Sequence, residues 1–144
     1  MSQAYQRIII AVDLTQDSEA VVARAAAVAG NAEAILLHVI EPLTFAYGGD
    51  IPMDLSEVQD QLQTQANERL AALAEKFSIN KENCQVVVGQ TANEIHRLAD
   101  ENATNLIIVG SHGRSGLALL LGSTSNGVLH GASCDVLAVR VPPS

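Results

Sequence analysis

Five short apolar runs, almost free of alternation with polar residues, leave few folds open to this sequence. They are Ile8-Ile9-Ile10-Ala11-Val12, Ala34 to Ile40, Cys84 to Val88, Leu106-Ile107-Ile108-Val109 and Val136 to Val141. A strand with one solvated face alternates, whereas a continuous aliphatic, β-branched run is buried on both faces, as in a parallel sheet covered by helices. Helix-length segments lie between the runs, as crossovers between parallel strands require.

The first of these segments can be capped by Asp17 and carries Val21, Val22, Ala25, Val28 and Ala29 at three- and four-residue spacing, ending near Gly30. The second begins near Leu55, after a loop containing Pro42, Gly48-Gly49 and Pro52, and its stripe of Val58, Leu62, Ala66, Leu70, Leu73 and Phe77 predicts the longest helix. Thr91-Ala92-Asn93-Glu94 has the form of a capping box ahead of Ile95, Leu98 and Ala99, and a last helix is expected from Ser123 to His130. The expectation is an α/β chain forming a single doubly wound domain over residues 1–144, with a five-stranded parallel sheet and helices on both faces. Ligands of such sheets bind outside the carboxyl ends of the strands, where strand order reverses. Here those ends are Asp13, Ile40-Glu41, Gly89 and Gly110.

Composition narrows the partners. Hydrophobic residues make up 48% of the 144 residues but aromatics only 3%, so the core must be aliphatic. A formal net charge of −8, with Lys76 and Lys81 as the only lysines, disfavours a nucleic-acid partner. Cys84 and Cys134 form no C-x-x-C pair and are expected as buried thiols of a reducing cytosol. The start lacks a basic segment followed by a long apolar one, and no apolar run approaches the roughly 18 residues of a membrane span, so a cytoplasmic location is expected. His38, His96, His112 and His130 share no ligand spacing with each other or with cysteine, so no metal site is expected.

The segment Gly110-Ser111-His112-Gly113-Arg114-Ser115-Gly116, running on to Gly122-Ser123-Thr124, is the richest in chemistry. Glycines let backbone N–H groups approach an anion, and the start of the last helix adds unpaired N–H groups and hydroxyls. Arg114 supplies a counter-charge. The residues alone are equally compatible with an ordinary strand-to-helix turn and a solvated arginine. No G-x-x-x-x-G-K-[ST] loop, no paired carboxylates near these glycines and no nucleophile beside a base is present, so the sequence names no catalytic residue.

Ile8 to Asp13, Leu36-Leu37-His38-Val39, and Gly110 to Gly116 leading to Leu120-Leu121-Gly122-Ser123 closely resemble the universal stress protein family, over nearly the whole chain from Arg7 to Val141. The resemblance implies a Rossmann-like sheet of the adenine nucleotide alpha hydrolase kind and a cytoplasmic stress-response protein that binds ATP, ADP or AMP, with Mg²⁺ able to accompany the phosphates. It implies that Ala11, Val12, Asp13 and Val39 border adenine and ribose, with Asp13 accepting from a ribose hydroxyl, and that Val109 and Gly110 close the pocket. Gly113, Arg114, Gly122, Ser123, Thr124 and Ser125 would surround the phosphates, and His112 lies within the glycine loop. Eight residues separate Gly113 from Gly122, one fewer than the commonest family spacing. The resemblance also implies a homodimer through Val136 to Val141 and a regulatory protein partner such as a transporter or kinase. An empty-looped structural dimer and a slow nucleotide hydrolase are the alternatives.

Overall fold

A computed structural model describes residues 5–42, 56–112 and 123–141. Its strands are β1 (Arg7–Ala11), β2 (Glu33–Ile40), β3 (Cys84–Val88), β4 (Leu106–His112) and β5 (Asp135–Val141). All neighbours pair in parallel, in the order β3-β2-β1-β4-β5. Between them run helices α1 (Ser18–Ala29), α2 (Ser56–Lys76), α3 (Thr91–Glu101) and α4 (Ser123–Gly131), with a short 3₁₀ turn at Lys81–Asn83. The expected doubly wound architecture is the one observed.

Register explains why the runs do not alternate. Ile9 lies between Ile35 and Ile107, and Ile10 between Leu36 and Ile108, so successive residues of β1 fill opposite layers. One layer joins Ile8, Ile10, Leu36, Leu106 and Ile108 to Val21, Val22 and Ala25 of α1 and to Leu70, Leu73 and Ala74 of α2. The other joins Ile9, Leu37, Val39, Ile107 and Val109 to Ala92, Ile95, Leu98 and Ala99 of α3 and to Val128 of α4. Each buried Val, Leu or Ile side chain among these contributes about 1.5–3 kcal/mol.

The helix stripes are shorter than the sequence suggests. Val58 and Leu62 are exposed, because α2 has 21 residues, about 31 Å, and outruns the strands beneath it. Val28 is also exposed, since the buried face of α1 runs from Val21 and Val22 through Ala25 to the half-buried Ala29.

Helix starts differ too. Asp17 occupies the cap position of α1 in a helical conformation and makes no side-chain capping bond. Gln90, not Thr91, caps α3: its extended backbone lets its side-chain oxygen accept from the Asn93 N–H at 2.8 Å. Thr91 instead donates its N–H and hydroxyl to Glu41, and Glu94 pairs with Arg97 at 2.7 Å. Helix α2 ends with Ser78 at φ 59°, where the Ile79 N–H reaches back to the Ala74 carbonyl. Helix α3 ends the same way, with Ala103 at φ 51° and the Thr104 N–H donating to Ala99.

Candidate functional site

Strand order runs outward from β1 through β2 to β3, then returns to the other side of β1 with β4 and β5. The reversal falls between β1 and β4, so the crevice expected of such a sheet lies beyond Ala11 and Val109, which are register partners. At this edge the Val12 N–H donates to the Leu37 carbonyl and the Gly89 N–H to the Ile40 carbonyl, both at 2.9 Å.

The turn after β1 is built around Asp13. One of its carboxylate oxygens accepts from the Thr15 N–H at 3.0 Å, the Thr15 hydroxyl at 2.7 Å and the buried Ser18 hydroxyl at 3.2 Å. Leu14, between them, adopts φ 62°, a left-handed conformation rare for a bulky residue. The Asp13 bonds to Thr15 and Ser18 reach across Leu14 and close the turn around it. A cleft of about 280 Å³ flanks this turn on the α2 side, lined among others by Leu14, Thr15, Ser18, Arg69 and Lys76. Lys76 is paired with Glu19. A more voluminous cleft, about 350 Å³, lies at the opposite, amino edge of the sheet between the ends of α1 and α2.

Ala11, Val39 and Val109 share the sheet face covered by α3 and α4; Val39 and Val109 are buried and Ala11 is half-buried. Val12 is buried against the opposite layer and Asp13 is exposed. Gly110 belongs to β4, paired with Val139. A Cβ placed on it would fall 2.9 Å from Val21 Cγ2, so the packing of α1 itself requires a glycine there. The sequence ends this strand at Val109 and puts His112 in the loop; the structure continues β4 through Ser111 and His112, which pair with Arg140 and Val141. Pairing with β5 outweighs the weak strand tendency of Gly-Ser. Ser123, Thr124 and Ser125 form the first turn of α4. Gly113, Arg114 and Gly122 lie outside the described residues.

Helix α4 returns the chain from the carboxyl end of β4 to Asp135, which pairs beside Leu106 at the amino end. Its first turn, the positive end of the helix dipole, therefore faces the carboxyl edge. Its seat on α3 is close. A Cβ on Gly127 would stand 3.0 Å from Ala92 Cβ, and one on Gly131 would collide with the His96 ring, whose Nε2 lies 2.8 Å from the Val128 carbonyl.

Histidine geometry is what sequence reasoning missed. His38 Nδ1 lies 2.8 Å from the Val12 carbonyl oxygen, one residue before Asp13. Its signal was a lone polar residue inside Leu36-Leu37-His38-Val39, a place where a ring nitrogen must find a partner. Among the described residues no three His, Cys, Asp or Glu side chains gather to hold a metal ion, and no helix is long and apolar enough to cross a membrane.

Sheet order, two-sided helical cover and the reversal of strand order between β1 and β4 define a doubly wound α/β domain. The sequence model described as "Universal stress protein family" matches residues 4–140, and the chain belongs to that family. It is 41% identical to universal stress protein A homolog 2 of Coxiella burnetii, over 97% of this chain and 98% of that one. It is 38% identical to homolog 1 of the same organism, over 94% and 96%. Among solved structures, hypothetical protein MJ0577 superposes with a TM-score of 0.78 at 24% identity, covering 97% of this chain and 99% of that one. A universal stress protein in complex with cAMP superposes with a TM-score of 0.58 at 26% identity, covering 95% and 98%.

Proposed function

We propose that this universal stress protein is a single-domain, cytoplasmic, homodimeric regulator that binds an adenine nucleotide, ATP, ADP or AMP, at the β1/β4 crevice and performs no chemistry on it. The observation that carries the reading is a convergence: Ala11, Val39 and Val109 share one face, and the first turn of α4 faces the same edge. The donor set fits the group. Small aliphatic side chains suit a purine, the Asp13 carboxylate suits a ribose hydroxyl, and an anion suits the N-terminal turn of a helix. The solved relative in complex with cAMP lends support from a protein of the same family.

In this reading Ala11, Val12, Asp13 and Val39 border the nucleoside and Val109 and Gly110 close the pocket. Gly113, Arg114, Gly122, Ser123, Thr124 and Ser125 hold the phosphates, with His112 alongside and Mg²⁺ accompanying them. Strand β5, at the sheet edge, pairs with its copy through Val136 to Val141, which removes an exposed apolar edge. A regulatory protein such as a transporter or kinase reads the occupied state.

Calorimetric titration of the stripped protein with ATP, ADP and AMP tests the site. Nucleotide at 100 times its dissociation constant stabilises the folded state by about 2.7 kcal/mol, visible as a raised melting temperature. Gly113→Val and Gly122→Val are expected to abolish that rise and keep the oligomeric mass found by sedimentation. Equal affinity in wild type and both variants removes the site assignment, and a monomeric mass removes the dimer.

A further inference from the structure

Val12 is the residue at which β1 gives way to the candidate site, and both of its backbone polar groups are anchored to β2. Its N–H donates to the Leu37 carbonyl at 2.9 Å, and its carbonyl oxygen lies 2.8 Å from His38 Nδ1. A carbonyl oxygen only accepts, so Nδ1 carries the hydrogen and His38 is the donor, which defines its neutral tautomer. The ring is half-buried on a strand whose neighbours Leu37 and Val39 are buried, so its nitrogen is held rather than free to swing.

The peptide unit is planar, so fixing the Val12 carbonyl also fixes the direction of the Asp13 N–H and the position of the Asp13 Cα. Asp13 in turn is the acceptor around which Thr15 and Ser18 fold the turn. The left-handed Leu14 depends on the same arrangement. One histidine bond thus sets the plane on which the acidic turn is built.

We propose that His38 is a positioning residue of the nucleotide site: by donating from Nδ1 to the Val12 carbonyl it presents Asp13 to the ligand without touching the ligand itself. This assignment rests on the nucleotide-binding reading above. It also makes a chemical distinction among substitutions. Asparagine places an N–H donor where Nδ1 sits, whereas glutamine places one where Nε2 sits, and leucine fills the volume with no donor.

The test is calorimetric titration of wild type, His38→Asn, His38→Gln and His38→Leu with ATP, ADP and AMP, with the melting temperature of each nucleotide-free protein measured alongside. Loss of one hydrogen bond predicts affinity about three- to tenfold weaker in His38→Leu and His38→Gln, with His38→Asn within about twofold of wild type. Rescue by asparagine but not glutamine separates positioning from packing, because both amides disturb the apolar surroundings alike. Should His38→Leu fail to fold, the two amides carry the comparison. Wild-type affinity in His38→Leu or His38→Gln overturns the proposal, as does equal loss in all three variants. ¹⁵N spectra of the histidine ring add a readout free of nucleotide: hydrogen on Nε2 alone overturns the assignment. Failure of wild type to take up any of the three nucleotides overturns the binding reading and this assignment with it, a result distinct from a binding wild type and an indifferent His38.

Discussion

The two cysteines show how environment sets reactivity. Both are half-buried rather than buried, and the Cys84 thiol is pushed up chiefly by burial, with Lys81 pulling weakly the other way. Cys134 is raised by burial first and then by the Asp135 and Asp100 carboxylates. Both therefore stay protonated above the ordinary thiol range, and alkylation at pH 8 is expected to run slower in the folded protein than in urea. The sign for stability follows: the folded state keeps these protons longer, so their contribution is present below the unfolded thiol value and is lost as pH rises through the folded one. Iodoacetamide kinetics with intact-mass detection check the first expectation, and equal rates in both states defeat it. Single residues are also where sequence reading fell short. Thr91-Ala92-Asn93-Glu94 satisfies a capping box on paper, yet Gln90 caps, and Glu41, just beyond β2, takes both Thr91 donors. Such partners are distant in sequence, so local patterns do not reveal them.

Elements were legible wherever their own residues decided them. Strand and helix identities follow from aliphatic runs and apolar spacing; the extension of β4 to His112 does not, because it depends on pairing with β5. The meeting of α3 and α4 was likewise hidden until the fold placed Gly127 and Gly131 opposite Ala92 and His96. At Gly131, the last residue of α4, an added methyl gains less than the about 1 kcal/mol of an interior helix position and displaces the ring that bonds the Val128 carbonyl. Overpacking of this kind costs about 1–3 kcal/mol, so Gly131→Ala is expected to be neutral to destabilising by about 2 kcal/mol, with the His96 bond lost. Urea melts and the ¹⁵N shifts of His96 report the two halves; a more stable variant with an unchanged His96 contradicts the close seat of α4.

At the scale of the whole molecule, the central strands carry the stability. Ile107 is fully buried on the α3 and α4 face, beside Ile9. Ile107→Ala is expected to cost about 2–5 kcal/mol in urea unfolding, and a loss below 1 kcal/mol would mean that layer is not packed as described. The architecture was readable because uninterrupted aliphatic strands have essentially one home, a sheet covered on both sides. The candidate site was readable only as a set of segments, since the reversal of strand order that brings them to one edge is a property no local stretch contains. The parallel sheet has one further, practical meaning. The described chain begins its first strand at Arg7 on one rim and leaves the sheet at Val141, across from His112, on the other. The Arg7 rim lies about 15 Å along the strands from the carboxyl edge, whereas Val141 stands at that edge itself. Labels placed at the two rims of the sheet thus meet unlike neighbourhoods, and titrations that test nucleotide uptake are best made with the Arg7 rim carrying the label.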